Sequence, residues 1–166
     1  DISNVSSIHT SKQNLVIRPV ALSMMIAVGI GLHNFGEGLA IGAAVLLGEV
    51  ALSSFLILGF TLHNTTEGLA IVAPMARSKK LAIAKLILMG LIAGVPTIVG
   101  SWIGGFLYSP VATIIFLGIG AGAIFQVVYS VGSWMYYNNN KALASFPIVS
   151  GFMLGIFIMY ITGLLV

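Results

Sequence analysis

Two short stretches hold nearly every residue able to do chemistry. "LHNFGEGLAIGA", residues 32–43, carries His33, Asn34 and Glu37, and "LHNTTEGLAIVA", residues 62–73, repeats the order with His63, Asn64 and Glu67. In each copy His and Glu are four residues apart, so a helix stacks them on one face with Asn beside them. Imidazole with carboxylate suits Zn2+, Fe2+ or Mn2+ better than Cu+, and the chain has no cysteine to add a thiolate. The same groups allow other uses: a hydrogen-bonded packing histidine, a protonated carboxyl with one interhelical bond, or a proton relay without metal. A metalloprotease fits worse, because H-E-x-x-H is absent and no Glu adjoins a His.

The surroundings sharpen the question. Of 166 residues, 58% are hydrophobic and 7% charged, where a soluble domain carries about a quarter charged. Lipid is the implied solvent, and nothing in the composition favours nucleic acid as a partner. Of the four acids, Asp1 and Glu49 lie outside the apolar runs, whereas Glu37 and Glu67 lie within them. An ionised carboxylate at mid-membrane costs about 2.5–3.5 kcal/mol even on lenient scales, and a bound cation is the simplest offset.

The elements that must position these groups are five continuous apolar segments, roughly 20–47, 51–75, 81–107, 110–136 and 143–166. Each is long enough as a helix to cross a core of about 30 Å, and too long and uninterrupted for barrel strands. The fold class is all-α, a polytopic helical membrane protein. Residues 1–19 are polar and read as the remnant of a cytoplasmic loop cut from something longer; residues 20–166 form the five-helix transmembrane domain. The first hairpin turns near Gly48, and His33 and His63 are each fifteen residues from it. An antiparallel pair brings them together about 22 Å from the turn, near mid-membrane, with Glu37 outward and Glu67 inward of that level. This is an inverted repeat in miniature, as in many transporters.

All seven basic residues, Lys12, Arg18, Arg77, Lys79, Lys80, Lys85 and Lys141, fall on one side of this layout. The positive-inside rule makes the amino-terminal loop cytoplasmic and the carboxyl end extracellular or periplasmic, in a multi-pass cell-membrane protein. An odd number of passes after a cytoplasmic stub points to earlier helices lying upstream; a natural five-pass protein is the alternative. Softer signals are small-residue spacings at Gly90, Gly94, Gly100 and Gly104, and at Gly118 and Gly122, read as packing faces. Gly36, Gly38 and Gly68 beside the glutamates permit close approach or kinking. Pro96 is expected to kink the third span, with Thr97 able to face a pathway. Gln126 is expected to make an interhelical hydrogen bond, the alternative being that it helps line the pathway. His9 lies in the stub, alone.

At "HNFGEGLA" and "HNTTEGLA" the chain resembles the ZIP family of divalent-metal transporters, the zinc and iron permeases. That family's fourth and fifth helices carry H-N-x-x-E-G and a related H/Q-N/D-x-x-E-G, and the five spans are similar to its fourth to eighth helices. The resemblance implies an eight-helix inverted-repeat bundle whose first three helices would be partners missing from this chain, with a possible homodimer. It implies that His33, Glu37, His63 and Glu67 form the primary metal site, Asn34 and Asn64 serve a second metal, and Glu67 bridges the two. Where many bacterial members have Pro, this chain has Gly36 and Thr66, and "AGVPTIVG" lacks the acid that some members place before the proline. The function implied is transport, not catalysis. Zn2+, or Fe2+, Mn2+ or Cd2+, is the substrate carried into the cytoplasm, with no organic cofactor. A membrane metal sensor binding the same ion without transport is the alternative, and an intramembrane hydrolase using metal-bound water is a third.

Overall fold

A computed structural model describes residues 19–76, 83–107, 109–139 and 143–164. Of the expected loop 1–19, residues 1–18, with His9, lie outside them and Pro19 already begins a helix; all the basic residues except Lys85 also lie outside. Five α-helices follow one another: α1 Pro19–Leu46, α2 Val50–Val72, α3 Ile83–Phe106, α4 Pro110–Asn138 and α5 Phe146–Gly163, with a 3-10 turn at Ala73–Met75. No strand occurs among the described residues. All five helices are long and apolar enough to span a membrane, so the chain is an all-α polytopic helical protein.

Local chemistry sets the helix ends. α1 stops in a Schellman motif: Gly48 takes φ 75°, its N–H bonds Val45 O at 3.1 Å, and Glu49 N–H bonds Ala44 O at 3.0 Å. Glycine suits this left-handed position because it has no Cβ to clash. α2 gives way to the 3-10 turn one residue before Pro74, which has no N–H to continue the ladder. α4 begins at Ser109-Pro110, where the serine hydroxyl accepts from Ala112 N–H at 3.4 Å and proline fills the first turn. α5 starts at Phe146 rather than near 143, because Ser145 is the extended N-cap and Pro147 fits only a helix's first turn.

α1 is the core of the molecule. Half of its most apolar window is buried, against 6–17% for the other four helices. It packs most extensively on α3, then on α4, and least of these on α2; α5 has its main contact with α2. The α1–α3 face is built from glycine on both sides. A Cβ at Gly31, Gly38 or Gly42 would strike the carbonyl oxygens of Ile92, Thr97 or Ser101, and one at Gly100 or Gly104 would strike those of Phe35 or Leu39. Helices in lipid gain association energy from such close backbone approach rather than from hiding apolar surface. Gly100 and Gly104 thus serve the expected packing face, whereas Gly90, Gly94, Gly118 and Gly122 meet nothing within 4 Å. Leu22, Ile26, Ile30, Met75 and Met89 fill the interior, and large side chains such as Phe106, Phe125 and Phe146 point outward.

Candidate metal centre

The Schellman turn reverses the chain in three residues, so α1 and α2 run back to back and the two His-Asn-x-x-Glu copies meet. Three of the six side chains gather around the carboxylate of a fourth, Glu37. Glu37 Oε1 lies 2.5 Å from His63 Nε2 and 3.2 Å from His33 Nε2, and Asn64 Nδ2 donates to Glu37 Oε2 at 3.5 Å. Glu37 and His63 are buried, at 3% and 8% exposure. The rings of His33 and His63 stand 6.4 Å apart at 37°, and Phe60 meets His63 edge to face at 5.3 Å.

α4 closes the site by omission. At Gly120 a Cβ would come within 3.1 Å of His33 Cα and 3.5 Å of its Nδ1, so glycine lets α4 lie close against that turn of α1, and a larger residue would need His33 to give by a few tenths of an ångström. Sequence spacing pointed to Gly118 and Gly122 instead. The signal that identifies Gly120 is spatial, its apposition to His33, and no pattern along the chain carries it.

The other two residues of the repeat stand apart. Asn34 is buried at 3% exposure and turns toward α3, where its Nδ2 donates to Ala93 O at 3.0 Å. Glu67, one turn beyond His63 and away from the hairpin, is outside the His33–Glu37–His63 group but within electrostatic range of it. Glu67 Oε2 and Asn64 Oδ1 are buried without hydrogen-bond partners. Gln126 makes no interhelical bond: its Nε2 donates to Ser130 Oγ of the same helix at 3.2 Å, beside a mainly apolar groove of about 440 Å³ between α1 and α4. The Thr97 carbonyl receives the Ser101 hydroxyl at 2.9 Å and abuts Gly38.

The donor set has the chemistry of a divalent-cation site. One atom each from His33, Glu37 and His63 lies within 4.8 Å of the others. Ligands about 2.0–2.1 Å from a tetrahedral ion are roughly 3.3 Å from one another. The His33–Glu37 edge, 3.2 Å, already has that length, whereas the His63–Glu37 edge, 2.5 Å, would have to open by about 0.8 Å. Three protein ligands also leave a tetrahedral position free, which a closed structural site does not. Compared with known proteins, the chain matches no family model, no curated protein and no solved structure.

Proposed function

We propose that this chain carries the metal site of a divalent-cation permease that moves Zn2+, or a similar ion such as Fe2+, Mn2+ or Cd2+, into the cytoplasm. The observation that carries the reading is the buried convergence of His33, His63 and Asn64 on the Glu37 carboxylate, between two membrane-length helices. A carboxylate in that setting is expensive. Its partners are two imidazoles whose lone pairs, once deprotonated, serve a cation as well as they serve a proton. The repeated motif and its likeness to the ZIP family agree with this reading.

A carrier site must bind tightly enough to strip water and loosely enough to release. The free tetrahedral position suits that demand, since a fourth group can enter as another leaves. Glu67, one turn further along α2 with a buried oxygen lacking a partner, is the group we assign to the next station toward the cytoplasm. The orientation follows from the one-sided basic residues of the sequence.

The test is Zn2+ uptake by liposomes holding the longest available reading frame, compared with Glu37→Gln and His63→Ala. Uptake that both variants lose supports the permease. Tight Zn2+ binding by the wild type without any flux moves the assignment to a membrane sensor, and uptake undiminished in both variants removes the site.

A further inference from the structure

Asn34 sits one position from His33, yet its amide nitrogen is committed elsewhere, while its Oδ1 is buried without a partner. Its Nδ2 donates to Ala93 O at 3.0 Å across the most extensive helix contact among the described residues, with the side chain at 3% exposure. Ala93 occupies the turn of α3 that Pro96 interrupts. Proline has no N–H for the Ile92 carbonyl, and its ring crowds that turn, weakening the carbonyl ladder around it. Against the same turn lies Gly31, where a Cβ would strike Ile92 O and come within 3.4 Å of Pro96 Cγ. So α1 presses its backbone onto the weakened turn and sends one amide into it.

We infer that Asn34 is a positioning residue, a clamp that ties α1 to α3 at the proline-interrupted turn and so fixes the rotation of α1 that aims His33 and Glu37 at α2. Adjacent helix positions differ by about 100° of rotation, so the group held against α3 and the pair facing α2 occupy different faces of one turn. The clamp stands on the α1–α3 geometry alone; its consequence for metal binding rests on the proposed function above.

The experiment uses the full chain in nanodiscs with Zn2+ as the probe and four variants: Asn34→Ala, Asn34→Asp, Pro96→Ala and the Asn34→Ala/Pro96→Ala pair. A carboxylate has no N–H for Ala93 O, so Asn34→Asp weakens Zn2+ binding about as much as Asn34→Ala, roughly 10–100-fold, the usual cost of losing a group that orients ligands. Pro96→Ala restores a backbone donor, so the paired variant recovers part of that loss and the two sites are not additive. Asn34→Asp keeps the side chain's shape and decides the matter if the alanine variant does not fold. Wild-type or tighter affinity in Asn34→Asp would make residue 34 an oxygen ligand and overturn the clamp, as would strict additivity. A metal-independent arm places spin labels at Val28→Cys and Leu88→Cys, both exposed, in a chain without native cysteine. Broadening of that distance distribution in Asn34→Asp supports the clamp even where Zn2+ fails to bind, and an unchanged distribution refutes it.

Discussion

Glu37 is the hub of the polar cluster, and that rank has a measurable consequence. Among the described residues it alone touches His33, His63 and Asn64, while Glu67 belongs to no such group. Glu37→Gln is therefore expected to weaken Zn2+ binding by at least about 100-fold, beyond the range for an orienting group, and Glu67→Gln by no more than about tenfold. Calorimetric titration in detergent checks both, and equal losses would remove the hierarchy. If Glu67 is the next station, its variant still slows uptake. In the same titration affinity falls as pH is lowered, because protons and the cation compete for the same imidazole and carboxylate electrons. Spacing set all six residues of the repeat on one ladder, of which His33, Glu37 and His63 lie together while Glu67 stands outside that group. It could not reveal that Asn34 faces α3. Adjacent positions on a helix look alike in sequence, and which neighbour each meets is decided by the third helix, far along the chain.

Among the helices, glycines that look equivalent in sequence divide by what lies opposite them. A Cβ at Gly38 would strike Thr97 O and come within 2.9 Å of Ser101 N, whereas Gly94 has nothing within 4 Å. Alanine is favoured over glycine inside a helix by about 0.5–1 kcal/mol, and overpacking a tight contact costs about 1–3 kcal/mol. Gly38→Ala is thus expected to destabilise the fold and Gly94→Ala to stabilise it slightly, an opposition of sign that unfolding in mixed micelles can read. Had both variants shifted stability alike, the α1–α3 face would not be where the structure puts it. Helix existence and number were legible from the five apolar runs, because length and hydropathy suffice in lipid. The ends of α2 and α5 were less so, since they depend on Pro74 and on Ser145 with Pro147 rather than on hydropathy.

At the scale of the molecule, the one-sided basic residues fix an expected topology. Single cysteines at Glu49 and Ser109 should react with a membrane-impermeant maleimide added outside intact cells, and one at Ala144 should react only after the membrane is opened. Reversed labelling would invert the assigned direction of transport. The α1–α2 turn has a further mechanical meaning. Three residues closed by two backbone bonds leave no slack for α2 to slide along α1, so the freedom left to the pair is angular, like the arms of a calliper. His33 and His63 ride those arms about 22 Å from the pivot. Widening the His63–Glu37 edge by the ~0.8 Å that separates it from the edge of a tetrahedral site takes an opening of only about 2° at that radius. A lever this long turns a small flexure at Gly48 into the whole of that change in edge length.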